Sequence, residues 1–255
     1  AAPSAFALER MRAHAAPRLG AGSDASAPGS AGRSIAADPD GSVAASPSGP
    51  IASSPGTLPV HADASGDGTI QLEPLSVGSF TVGSRGDGGY RYVSATYRVR
   101  NAQADSTAYD TPRQNLTFYA VSTSGTLGKT PFSRLARFDG SAAATDPATI
   151  LPTGAARLDP TTGEVRAAAA DVLQVVSEEE AARLLDLAVA DTETVFPYGF
   201  VVRNPADPTS RTLPANPAED EFDGLVTFAF KIPLASSSAD DPFTVSAVFM
   251  AVDED

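Results

Sequence analysis

Residues 63 to 74, DASGDGTIQLEP, carry oxygen-bearing side chains at the spacing of a calcium-binding loop. In such a loop the ligands fall at positions 1, 3, 5, 7, 9 and 12, a glycine at position 6 makes the sharp turn, and the twelfth residue is an acid that binds through both oxygens. Asp63, Ser65, Asp67 and Thr69 take the first four ligand positions, Gln71 takes the ninth, and Gly68 stands at the turn. The twelfth position is Pro74, which has no side-chain ligand, and Glu73 comes one place early. A loop without that acid would hold calcium weakly, at about 10⁻⁴ to 10⁻³ M. The same Asp and Gly residues make an ordinary turn feeding a strand, which is the preferred reading. Calcium is the one cofactor the sequence admits.

The other chemistry-bearing residues are sparse. A Ser-His-Asp arrangement needs an imidazole held beside a third group on a rigid scaffold. The two histidines, His14 and His61, lie in a low-complexity segment and at a domain edge. The absence of cysteine excludes thiolate metal sites, disulfides and a cysteine nucleophile. Two carboxylates across a cleft could cleave a glycoside, but with no tryptophan and few aromatic residues in loops a sugar-stacking groove is not expected. No catalytic residue is assigned, and the chain is read as a non-enzyme. The tripeptide Arg85-Gly86-Asp87 matches an adhesion motif, yet it sits where a hairpin turn calls for Gly and Asp. Asn115-Leu116-Thr117 has the N-glycosylation pattern inside a strand. Glu219 to Asp223, EDEFD, could hold a cation through oxygen ligands, with a solvated acidic loop as the default.

What positions these groups follows from the texture of the chain. Between residues 21 and 60, 30 of 40 residues are Ala, Gly, Ser or Pro and none is aromatic. Such a stretch cannot bury enough apolar surface to offset the entropy of ordering it. Residues 1–60 are therefore read as an arm with a short helix-capable start, SAFALERMRAHAA, and residues 61–255 as a folded domain.

From about residue 70 the pattern turns to strands. In YRYVSATYRVRN, Val93, Ala95, Tyr97 and Val99 share one face, and glycines at 86, 88 and 89 suit a tight hairpin back to GSFTVGS. QNLTFYAVS, DVLQVV, VFPYGFVVRN, LVTFAFKIPL and PFTVSAVFMAV complete about seven strands. Alternation places Val226, Phe228, Phe230 and Ile232 inward on one late strand, and Phe243, Val245, Ala247, Phe249 and Ala251 inward on the last. One helix interrupts them: SEEEAARLLDLAVA has Ser177 as N-cap and Glu180 three residues on, and it is expected to cover a sheet edge or the open end of a sandwich. Val-Arg-Asn recurs at strand ends, at 99 to 101 and 202 to 204, a weak echo that admits a duplicated hairpin, with ordinary strand-end preferences as the preferred reading. Alternating strands without regular intervening helices argue for an all-β, antiparallel two-sheet sandwich.

Charge narrows the partners. With 31 acidic against 18 basic residues the net charge is −13, which opposes binding to nucleic acid or to an anionic membrane. No run of 18 apolar residues exists to span a bilayer. The opening AAPSAF, without methionine, suits removal of a signal peptide or a trimmed chain.

The strands TYRVRN, NLTFYAVS, PYGFVVRN, FDGLVTFAFKIPL and DPFTVSAVF, over about residues 72 to 252, resemble the immunoglobulin-like β-sandwich modules of secreted and surface proteins of bacteria. The resemblance implies an extracellular or cell-surface location and a role as spacer, adhesion unit or building block of layers and filaments. It carries no catalytic signature. The expected function is a non-enzymatic structural subunit of a cell-surface or filamentous assembly that self-associates through residues 1–60. The alternative is a monomeric surface module binding a glycan, a protein or a cation, with no specific ligand named by the sequence.

Overall fold

The computed structural model describes residues 70–254, except 104, 170, 189–190 and 208–209. The arm, both histidines and the loop residues Asp63, Ser65, Asp67 and Thr69 lie outside the described residues.

Two antiparallel sheets form the body. The first contains β1 (Gln71–Val82), β2 (Tyr90–Arg100), β11 (Gly224–Pro233) and the short β5 (Leu151–Pro152), in the order β1-β2-β11-β5. The second is centred on β3 (Arg113–Thr123) and includes β8 (Leu173–Val175), β9 (Thr192–Val201), β10 (Thr212–Leu213) and β13 (Phe249–Glu254). Thr117 pairs with Val201 of β9 and with Val252 of β13, and Gln114 pairs with Thr212 and with Glu254. Thus β13 flanks β3 on one side, β9 followed by β10 flanks it on the other, and β8 lies beyond β9. Two smaller pairs complete the described strands: β4 (Phe132–Ala136) with β12 (Thr244–Ala247), and β6 (Ala156–Leu158) with β7 (Val165–Ala167).

The sheets face each other across one aromatic core. Val93, Ala95, Tyr97 and Val99 of β2 and Val226, Phe228, Phe230 and Ile232 of β11 are buried, as the alternation predicts. Opposite them lie Leu116 and Phe118 of β3, Phe200 of β9, and Phe249 and Ala251 of β13. The Phe228 ring meets Tyr97, Phe118 and Phe200 edge to face at 5.4–5.8 Å between centroids, the T-shaped arrangement favoured by the ring quadrupole.

Thirteen strands stand among the described residues where the sequence reads about seven. The seven expected segments are all strands, and the last, 244–254, divides at Val248 because it changes partner, pairing with β4 before that residue and with β3 after it. Its inward set of Val245, Ala247, Phe249 and Ala251 survives the break, whereas Phe243 falls outside the strand. The additional strands have two to five residues, too few to show a period.

The helix α1 (Glu178–Leu187) forms with the capping box expected: the Ser177 hydroxyl accepts from the Glu180 amide, and the Glu180 carboxylate accepts from the Ser177 amide. Its position corrects the expectation of an edge or an open end. Leu184 and Ala188 pack with Tyr119 and Val121 of β3, Val195 of β9, and Met250 and Val252 of β13 on the outer face of the second sheet. These strands are apolar on both faces because a helix covers the second one, which strict alternation does not anticipate. No helix among the described residues is long and apolar enough to cross a membrane.

The repeated Val-Arg-Asn is two different structures. Arg100 is buried and donates to the carbonyls of Ser106, Pro217 and Ala218, and Asn101 is buried and donates to the carbonyls of Thr111 and Pro214. Asn204 instead accepts from the Ala206 amide in a loop turn.

Candidate functional site

The outer face of the second sheet, beyond the area covered by α1, holds a cleft of about 150 Å³. It begins with a glycine. Gly199 of β9 pairs in register with Tyr119 of β3 on one side and Gln174 of β8 on the other. A Cβ at Gly199 would lie 2.7 Å from Thr117 Cγ2 and 3.0 Å from both the Phe118 carbonyl oxygen and Tyr119 Cδ1. Only glycine lets the Thr117 and Tyr119 side chains settle across β9, where the Gln174 amide reaches the Tyr119 hydroxyl at 3.4 Å.

The far wall comes from the start of β3. Asn115 has φ +50°, a left-handed conformation that asparagine tolerates better than most residues. Its amide donates to the Arg211 carbonyl at 3.1 Å, and the Thr117 hydroxyl donates to the Asn115 carbonyl at 2.9 Å. The kink places Asn115, Arg211 and Asp253 around the same space as Thr117, Tyr119, Gln174 and Val252.

Both charges in the cleft have counter-charges. Arg211 lies 3.6 Å from Asp171. Asp253 accepts from Arg113 at 2.8 Å, in a pair almost wholly removed from water, and Arg113 also donates to Asn101 and lies 4.4 Å over the Tyr109 ring. The lining therefore contains amides, hydroxyls, a guanidinium and a carboxylate with both charges paired, carried by β3, β8, β13 and the loop before β10. It is an arrangement for hydrogen bonding a polar molecule.

The sites raised by the sequence fare differently. Gln71 and Glu73, from the second half of the calcium-like loop, lie in β1 with their side chains engaged: Gln71 accepts from Arg100 at 2.9 Å and donates to Ser106 at 3.3 Å, and Glu73 accepts from Arg98. Arg85-Gly86-Asp87 is the β1–β2 hairpin turn, closed by the Asp87 and Gly89 amides donating to the Ser84 carbonyl. Arg85 points inward to the buried Asp241 and to the Ala235 carbonyl, so this arginine is not offered to a partner. Asn115 is the cleft residue described above, at the start of a strand. In the acidic stretch, Glu221 accepts from the Ala218 amide in a local turn, and burial, with the charge of Glu221 adding, raises the Asp223 carboxyl above its ordinary pKa. Among the described residues no three His, Cys, Asp or Glu side chains converge as a metal site.

Sequence reading missed the cleft because its lining residues come from three separate strands and a loop. The only local signal is Gly199 in FPYGFVV, a glycine inside an otherwise bulky strand, which marks a close approach of neighbouring groups. No protein-family model, curated protein or solved structure matches this chain.

Proposed function

We propose that this chain is a non-enzymatic structural subunit of an extracellular or cell-surface assembly, an immunoglobulin-like sandwich whose residues 1–60 contact a neighbouring copy. The observation that carries this reading is the outer edge of β1. Among the described residues β1 pairs only with β2 along its twelve residues, leaving its other edge without a described partner strand. An edge of this length is a template for an added strand. Its second half, Ser76 to Val82, has no charge and no proline, while Pro74 and the bulge at Leu75 limit pairing in the first half. A molecule of net charge −13 associates with its own copies most readily through such an uncharged strip. An Ala, Gly and Ser-rich arm can pair through its backbone without requiring particular side chains, and it directly precedes this domain.

The test is truncation. A chain lacking residues 1–60 is expected to stay folded and to lose high-order species in light scattering, and Ser79→Lys in the full chain, which puts a charge on the edge, is expected to do the same. High-order species unchanged in both variants would overturn the proposal.

A further inference from the structure

We propose that the Gly199 cleft binds a neutral polyhydroxylated ligand, one sugar unit of a glycan. Its volume of about 150 Å³ is well below that of a drug-sized pocket and suits a small ligand. A hydroxyl both donates and accepts, and this lining presents both kinds of group close together. The fold already engages these groups, Gln174 with Tyr119, Thr117 with the Asn115 backbone carbonyl, Arg211 with Asp171 and Asp253 with Arg113, and a hydroxyl ligand would share their remaining donor and acceptor capacity. Val252 and Tyr119, both largely buried where α1 packs on the sheet, form the apolar part of the cleft lining.

Charge selects against the other small ligands. An inorganic anion at Arg211 would compete with Asp171, 3.6 Å away, and a cation at Asp253 would compete with the buried Arg113. A neutral ligand disturbs neither pair. The site goes beyond the assembly reading, using the opposite sheet from the β1 edge, so the truncation experiment and this one report on different surfaces.

The experiment titrates the full chain, labelled with ¹⁵N, with glucose, galactose and N-acetylglucosamine, and separately with acetate and calcium chloride, at millimolar concentrations. At least one sugar is expected to shift the amide signals of Thr117, Tyr119, Gln174 and Arg211 in a saturable way. Gln174→Leu, which keeps the volume and removes the amide on a short edge strand, is expected to weaken that binding at least tenfold. Arg183→Ala, on the exposed face of α1, is expected to leave it unchanged. No saturable sugar shift at these residues, a stronger response to acetate or calcium, or full binding by Gln174→Leu would each overturn the proposal. Gly199→Ala is unsuitable as a test because its Cβ would press on the Phe118 carbonyl and could unfold the chain.

Discussion

Arg85, in the turn between β1 and β2, donates at 2.9 Å to Asp241, more than 150 residues away in sequence. Asp241 is 6% exposed and also accepts from Arg91 at 2.8 Å and from the Ala235 amide at 3.0 Å. One carboxylate thus ties the hairpin tip to the segment between β11 and β12. Removing it leaves two guanidinium groups partly buried without their counter-charge. Asp241→Ala is expected to lower stability by about 3–5 kcal/mol in urea titration. A loss below about 1 kcal/mol, the level of a surface pair, would show that water replaces the carboxylate.

The aromatic core gives a sharper contrast. Phe228 and Phe249 are fully buried with ring centroids 4.5 Å apart, and either truncated to Ala is expected to lose about 3–5 kcal/mol. Lys231, three residues along β11 from Phe228, is half-buried with its ammonium 3.9 Å over the Tyr90 ring. Its truncation is expected to lose about 0.5–1 kcal/mol, the size of an exposed cation–π contact. Equal losses in the three variants would place the register of β11 in error.

The contrast marks how far the sequence carries. Alternation alone identifies the inner face of β2 and β11, since each is long and carries its large apolar residues at every second position, although Thr227 and Ala229 on the other face of β11 are buried as well. It gives the inner residues of β13 but not the burial of Met250 and Val252, because a helix that packs on the back of a sheet leaves no period-two signature in the strands beneath it. The capping box locates α1, being a local exchange of hydrogen bonds between Ser177 and Glu180, yet where the helix docks depends on the distant Tyr119 and Val195. The cleft is less legible still. Asn115, Gln174, Arg211 and Asp253 are ordinary polar residues until β3, β8, β13 and the loop before β10 bring them together.

Tyr198 supplies a pH dependence. Packed beside Phe196 and Phe200 on β9, its phenol is pushed well above the ordinary range by burial. A tyrosine in the unfolded chain loses its proton near pH 10. Above that pH the unfolded state releases a proton that the native state keeps, so stability falls as pH rises through the window from about 10 to the raised native value. Tyr198→Phe is expected to match the wild type in urea midpoint at pH 8 and to exceed it at pH 11. Parallel behaviour of the two proteins across that range would mean the phenol ionises as freely in the fold as outside it.

Calcium is expected to leave the protein unchanged. A ligand stabilises the folded state only in proportion to its binding, so a functional DASGDGTIQLEP loop would raise the melting temperature in millimolar calcium. Two groups that would help close such a loop have other work: the Gln71 carbonyl oxygen takes a hydrogen bond from Arg100, and the Glu73 carboxylate pairs with Arg98. Glu73 also lies in β1, where it pairs in register with Arg98, and moving it toward a cation would pull that strand from β2. Asp63, Ser65, Asp67 and Thr69 would then have to hold the ion without a bidentate acid, which leaves at most a weak site. The measurement compares melting of the wild type and of an Asp63→Ala, Asp67→Ala double variant with and without millimolar calcium. No shift in either is the expected result. A rise confined to the wild type would establish the loop as a calcium site, and equal rises in both would move attention to Glu219, Asp220, Glu221 and Asp223.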